Sequence, residues 1–234
     1  MINIKNLSFK YNKNIVFNNL NIEIKFNEIT SIIGNNGTGK TSLFNIIKGL
    51  EKNYTGDVKI SGDNHLYIGY LQSEIYYYPK MTGREYLEFI MIAQNQWDDD
   101  FEIINEILKL PLDEFIETYS LGMVKKIGIY GLLLQKNDII LLDEPYNGLD
   151  FESVINLNEV LKLLKKLEKT VLIASHNLML IFEISDSILL LENSEIIVFY
   201  PENYDELKSK LVSDENMYQL EKVLKNIKRG IRKP

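Results

Sequence analysis

The run Gly34-Asn35-Asn36-Gly37-Thr38-Gly39-Lys40-Thr41 constrains this chain more than any other feature. It follows an apolar stretch, Ile29 to Ile33, and opens a segment from Thr41 to Gly49 in which Leu43, Phe44, Ile46 and Ile47 recur at helical spacing. Strand, glycine loop and helix in that order fit G-x-x-x-x-G-K-[ST] and belong to α/β nucleotide-binding units. The glycines let backbone amides turn inward around phosphate oxygens at the positive end of the helix. Lys40 is then expected to reach the β- and γ-phosphates, and the Thr41 hydroxyl to ligate Mg²⁺. Gly34 to Thr41, with Ser42 beside them, are the candidate phosphate contacts.

A second feature supports the first. Ile139-Ile140-Leu141-Leu142-Asp143-Glu144 is an apolar strand ending in two carboxylates. Acid at the tip of a buried strand is what Mg-nucleotide chemistry needs: Asp143 can hold Mg²⁺ through water, and Glu144 can polarise an attacking water. Any strand can end in acids, so the pair gains meaning only beside the glycine loop.

The rest of the chain sorts into two textures. Alternating apolar positions predict strands through the first 33 residues, in separate runs at 2–9, 15–17, 22–24 and 29–33. Further strands are predicted at Val58–Ile60, Leu66–Leu71, Ile139–Leu142, Val171–Ala174, Ser187–Leu191 and Glu195–Phe199. Between Ser73 and Gln135 the spacing turns helical, with one helix over Thr82–Gln94 and another over Phe101–Leu110. The Asp98-Asp99-Asp100 run before the second helix reads as capping and macrodipole charge rather than a metal site. An α/β core interrupted by a helical lobe is therefore expected. The divisions are 1–72 and 136–200 for the core, 73–135 for the lobe and 201–234 for a C-terminal helical tail.

Composition narrows the function. A formal charge of −7 disfavours general contact with a nucleic-acid backbone. The absence of cysteine removes disulfide frameworks and thiolate chemistry. No secretory signal is visible at the N-terminus, and no apolar run approaches the ~18–20 residues that cross a bilayer. Any membrane part is expected from another chain.

With both motifs in place, the chain resembles the ATP-binding subunits of ABC transporters over nearly all of Ile2–Tyr200. Ser120-Leu121-Gly122-Met123 falls where that family has its L-S-G-G-Q signature, and Gln72 where it has the Q-loop glutamine. Asn147-Gly148-Leu149-Asp150 resembles the D-loop, and Ser175-His176 the switch histidine. Tyr11, after Leu7-Ser8-Phe9, matches the aromatic that stacks on adenine. His65, the other histidine, has no such context. The signature departs from the family pattern: Tyr119, Leu121 and Met123 replace Leu, Gly and Gln. This Y-S-x-G-M form resembles a variant of bacterial drug, peptide and bacteriocin exporters. Tyr146 stands where Thr is usual.

The resemblance implies a P-loop NTPase core, an N-terminal antiparallel β subdomain and an inserted α-helical lobe. It also implies ATP hydrolysis with Mg²⁺. Glu144 would be the base, His176 and Gln72 would position water, metal and γ-phosphate, and Thr41, Gln72 and Asp143 would surround the metal. Tyr11, Gly34 to Ser42, Ser120, Gly122 and Asp150 would contact nucleotide. Two subunits, alike or different, would close head-to-tail over two ATP molecules and drive a transmembrane permease from the cytoplasmic face of the cell membrane. Tyr76-Tyr77-Tyr78-Pro79-Lys80-Met81-Thr82-Gly83 lies where the family receives a permease helix, and aromatics favour interfaces. Leu220, Val223, Leu224 and Ile227, flanked by basic residues, predict an amphipathic end that packs on its own domain with a solvated basic face, contact with anionic lipid being the other reading. Two other readings stay open: a soluble ABC-type ATPase of translation or DNA repair, and a regulatory subunit that binds nucleotide without turnover.

Overall fold

Each buried strand presents its alternate residues to two different cores. In the computed structural model, which describes residues 1–62, 66–95, 102–176 and 178–211, strand β6 (Ile139–Asp143) turns Ile139 and Leu141 to one side and Ile140 and Leu142 to the other. Strand β7 (Thr170–Ala174) divides in the same way, with Leu172 and Ala174 opposite Val171 and Ile173. Period two in a strand covered on both faces explains why these runs are apolar throughout. The Asp98–Asp100 run, His65 and the segment around Leu220–Ile227 lie outside the described residues.

Two sheets carry the fold. Strands β1 (Ile2–Tyr11), β2 (Asn14–Ile24) and β4 (Thr55–Ile60) form an antiparallel sheet in the order β2-β1-β4. The larger sheet runs β5-β6-β7-β3-β8-β9, with β3 (Ile29–Ile33), β5 (Ile68–Leu71), β6, β7 and β8 (Ser187–Glu192) parallel. Strand β9 (Glu195–Phe199) adds an edge through a turn at Asn193 and Ser194, whose φ values of 50° and 65° suit a type I′ hairpin.

The antiparallel β subdomain, the parallel core and the helical insertion are all present as expected. One difference concerns β2, which is a single strand where two short runs were predicted. Asn18, Asn19 and Asn21 break the alternation that marks a strand. Asn19 sits at φ 58°, and the irregularity is held by Ser8 Oγ accepting from Asn19 N at 2.9 Å and Asn21 Oδ1 accepting from Asn6 N at 3.0 Å.

Helix α1 (Lys40–Lys48) lies between the sheets, and Leu43, Phe44, Ile46 and Ile47 share one core with β1, β2, β3, β6 and β7. Burying each of these side chains contributes roughly 1.5–3 kcal/mol. The opposite face of the large sheet is covered by α4 (Leu121–Leu134), α5 (Phe151–Lys166) and α6 (Leu178–Ile184), through Ile129, Leu132, Leu157, Leu161 and Ile184.

A third core belongs to the helical segment. Here α2 (Gly83–Ala93), α3 (Ile103–Leu108) and α4 bring together Leu87, Met91, Leu108, Ile127, Tyr130 and Leu134. Thr82 and Glu85 start α2 with a reciprocal capping box. Helix α3 is shorter than predicted because Lys109 turns left-handed at φ 53° and Asn105 bonds both the amide and the carbonyl of Leu110 at 2.9 Å. Helix α4 contributes to two cores, which accounts for its being apolar nearly all round.

By compactness the chain divides into Met1–Val198 and Phe199–Pro234. In the second unit a turn at Pro201–Asn203 leads into helical residues 204–211, with Tyr204 and Leu207 buried.

Candidate active site

Four neighbouring parallel strands deliver the candidate residues to one edge of the sheet. In the order β5-β6-β7-β3, Leu71 pairs with Leu142, Asp143 with Ala174, and Ala174 with Ile32. Immediately beyond those positions come Gln72, Glu144, Ser175-His176 and the Gly34 loop. Ligands of open α/β sheets bind outside the carboxyl ends of the strands, and these four segments meet there.

The loop Gly34–Gly39 has the conformation its sequence implies. Gly39 sits at φ 110°, and a Cβ there would lie 2.4 Å from Val16 Cγ1 and 2.8 Å from Phe17 Cε1, so no other residue fits. Lys40 is 8% exposed and donates to the carbonyls of Gly34 at 2.7 Å and Asn35 at 3.1 Å. Thr38 braces the loop through its hydroxyl to Asn35 O at 2.9 Å, while Asn36 and Gly37 are exposed at its tip. Ser42 is buried in the first turn of α1. That turn has neither a capping side chain nor an acidic residue, so the helix's free amides and positive end face the loop.

The carboxylates stand directly below. Thr41 Oγ1 donates to Asp143 Oδ2 at 2.7 Å. Burial raises the Asp143 pKa, the Thr41 bond opposes that, and Glu144 adds repulsion in the raising direction. Burial likewise lowers Lys40, against the attraction of Glu144 and Asp143. Glu144 takes a left-handed conformation at φ 50°, with its amide bonded to Ala174 O at 2.8 Å. His176 Nδ1 lies 2.9 Å from Glu144 Oε2, a buried oxygen with no other partner among the described residues. Among the described residues no three His, Cys, Asp or Glu side chains group to hold a metal. The hard-oxygen pair Thr41–Asp143 nevertheless suits Mg²⁺, which takes few protein ligands and completes its shell from phosphates and water.

The remaining candidates take different positions. Tyr11 ends β1 half-exposed, its ring 4.9 Å from Phe9, which in turn lies 6.3 Å from Phe17 beside Gly39. An aromatic row thus runs from Tyr11 to the glycine loop. Gln72 is exposed at the end of β5. Ser120 caps α4, its hydroxyl accepting from Met123 N at 3.3 Å, and Gly122 packs so tightly on the D-loop that a Cβ would meet Gly148 O at 2.5 Å. Asp150 caps α5 by accepting from Ser153 N at 2.8 Å, and the Ser153 hydroxyl and amide together hold its carboxyl below the ordinary range. The structure gathers Lys40, Thr41 and Asp143 around the start of α1, whereas Ser120 and Gly122 lie at the start of α4 and Asp150 at the start of α5.

Sequence reasoning assigned no role to three neighbours. Lys125 is 2% exposed, its ammonium 2.7 Å from Ser73 O and 3.3 Å from Gln72 O. Tyr70, on the strand before Gln72, has its hydroxyl pKa raised by burial and by the Asp143 carboxylate. Tyr146 is buried and donates to Asn158 Oδ1 at 2.8 Å, tying the D-loop to α5. Two adjacent lysines, Lys125 and Lys126, inside an otherwise largely apolar helix were the available signal for the first, though they do not tell which of the two is buried.

A glycine loop with its lysine, a threonine–aspartate pair and a glutamate–histidine pair on adjacent strand ends define a nucleotide triphosphatase. Comparison with known proteins names the kind. Residues 17–147 match the family model described as ABC transporter. A zinc import ATP-binding protein from Rickettsia bellii is 34% identical over 196 residues, covering 82% of each chain. A bacitracin transport ATP-binding protein from Bacillus licheniformis is 30% identical over 227 residues, covering 90% of this chain and 72% of that one. The solved structure of an ATP-binding subunit of an ABC transporter superposes with a TM-score of 0.81 at 23% identity, over 91% of this chain and 99% of that one. A dimeric bacterial ABC transporter cassette gives 0.76 at 24%, over 86% and 99%. The chain belongs to the ABC transporter family, as an ATP-binding subunit with the fold and ATPase activity of its cassettes. No helix among the described residues is long and apolar enough to cross a membrane.

Proposed function

We propose that the chain powers a separate membrane permease at the cytoplasmic face, using ATP with Mg²⁺ in a head-to-tail dimer of cassettes. The observation that carries the reading is the arrangement at the end of β6: Asp143 bonded to Thr41 of the glycine loop, and the next residue, Glu144, holding a buried oxygen 2.9 Å from His176 Nδ1. Gly34 to Ser42 wrap the phosphates, Lys40 exchanges its two carbonyl partners for phosphate oxygens, and Tyr11 stacks on adenine. Thr41, Gln72 and Asp143 hold Mg²⁺, which when bound neutralises phosphoryl charge. Glu144 takes a proton from the attacking water, and His176 and Gln72 orient that water and the γ-phosphate.

Ser120, Gly122 and Asp150 complete the partner subunit's site. In this reading 1–72 and 136–200 bind nucleotide, 73–135 receives the permease and 201–234 is an appended tail. Tyr76, Tyr78 and Phe89 form an exposed edge-to-face row at centroid distances of 5.5 and 6.0 Å, a surface suited to a permease helix. Export is favoured by the Y-S-L-G-M signature, while the relatives include a zinc import protein and a bacitracin transport protein.

Glu144→Gln tests the assignment. It should preserve ATP affinity and lower turnover by about a hundredfold or more, the scale of losing a positioned acid–base group. Turnover within twofold of the wild type would remove Glu144 from the role of base. Purified with ATP from its native membranes, the same variant should bring a chain with several ~20-residue apolar spans. Recovery with ribosomes or DNA instead would favour a non-transport ATPase.

A further inference from the structure

The helix that begins at Ser120 lies along the Q-loop in a closely packed seam. Lys125, Gly128 and Leu132 occupy one stripe of α4, spaced i, i+3 and i+7. A Cβ at Gly128 would meet Ile75 Cδ1 at 2.4 Å and Leu71 Cδ1 at 2.7 Å. A Cβ at Gly69, on β5, would meet Leu132 Cδ1 at 2.5 Å. At the end of this seam nearest the site sits the buried ammonium of Lys125, 2.7 Å from Ser73 O and 3.3 Å from Gln72 O. A buried lysine persists only where its charge is met; here the Q-loop carbonyls of Gln72 and Ser73 accept its hydrogen bonds, and the Asp143 and Glu144 carboxylates attract it from further off.

We infer that Lys125 is a positioning residue: its ammonium fastens the backbone at Gln72 and Ser73 to α4, so that Gln72 and Ser120 move as one body. The inference rests on the roles proposed above for those two residues. Five residues of helix separate Lys125 from Ser120, a rise of about 7.5 Å. Gln72 belongs to the site formed with this chain's own glycine loop, whereas Ser120 belongs to the partner's. A rigid link between them makes the state of one nucleotide felt at the other, which packing at Gly128 alone would achieve only loosely.

The test uses the full chain with Lys125→Met, which keeps the stem and removes the cation, Lys125→Gln, which keeps one donor group, and Lys125→Arg, which keeps the charge. Hydrogen exchange is read at residues 73–76 without nucleotide, and kcat, KM and nucleotide affinity are measured with ATP. For Lys125→Met we expect exchange at 73–76 to rise about tenfold and kcat to fall about ten- to a hundredfold, the scale of an ångström-level misplacement, with affinity within about threefold. Lys125→Arg should recover most of both. Unchanged exchange and kcat in Lys125→Met would overturn the inference. So would exchange rising throughout the chain together with lost affinity in both Lys125→Met and Lys125→Gln, because that pattern belongs to a residue serving the fold alone. The exchange readout is independent of Glu144, so it separates failure of this link from failure of the catalytic assignment.

Discussion

Two helix N-termini in this protein are proposed to face phosphate, and they are built differently. Helix α1 begins without a capping side chain or an acidic first turn, and Lys40 and the Thr41–Asp143 pair surround its open end. Helix α4 begins with its own cap, Ser120, and packs at once against the D-loop through Gly122 and Leu121, the latter still 62% exposed. An open helix end with a cation and a buried carboxylate is a binding site in itself. A capped end with no lysine in its first turn is a surface that completes a site supplied by something else. That difference is the one the proposed head-to-tail dimer needs, in which each cassette supplies a binding end and a completing end.

The largest effect should come from the α1 end. Asp143→Asn keeps an acceptor for Thr41 but removes the charge beside the phosphates. Turnover should fall about a hundred- to a thousandfold, the usual cost of losing a preorganised charge-stabilising group. Titration calorimetry should also show nucleotide affinity losing its dependence on Mg²⁺. If Mg²⁺ continued to tighten binding as in the wild type, the metal would not be held at Thr41–Asp143.

Ser120→Ala tests the α4 end and should act more weakly. Loss of the cap costs about 1 kcal/mol of stability, visible as a lower midpoint in urea. Loss of a hydroxyl facing a charged group should lower turnover about ten- to a hundredfold, with nucleotide affinity of the isolated chain within about twofold. Equal effects on affinity from Asp143→Asn and Ser120→Ala would break the distinction between a complete end and a completing one.

The two ends also differ in how far the sequence disclosed them. The glycine loop and the strand ending in Asp143-Glu144 were legible because their chemistry needs particular residues at particular spacings, and the register of β6 against β7 leaves little freedom in where Glu144 and His176 meet. The strand order was not legible, since β3 slips between β7 and β8 by crossovers that leave no local mark. Around α4 the local rules mislead. A lysine in a helix is ordinarily a solvated residue, and only the approach of the Q-loop makes Lys125 a buried one. Tyr146 looked like an unexplained departure, and the reason for it lies in Asn158, twelve residues further on. The asparagine-rich stretch of β2 concealed a continuous strand because the side chains that repair its irregularity come from β1 and from β2 itself.

Asp150 offers the smallest and finest test, because two roles compete for one carboxylate. It caps α5 through Ser153, whose hydroxyl and amide together hold its pKa below the ordinary carboxylate value. The sign follows from linkage: a depressed folded pKa contributes stability that is present above the unfolded pKa and lost as pH falls through the folded one. Asparagine caps a helix about as well as aspartate but cannot titrate. Asp150→Asn should therefore match the wild type in stability near neutrality and lack this part of the decline in acid, as read by urea midpoints measured across the acidic range. If the cap is its whole purpose, turnover will be unchanged as well. A turnover loss without a stability change at neutral pH would mean that the charge itself faces the partner's nucleotide, and it would place Asp150 with Ser120 among the groups that one subunit provides for the other.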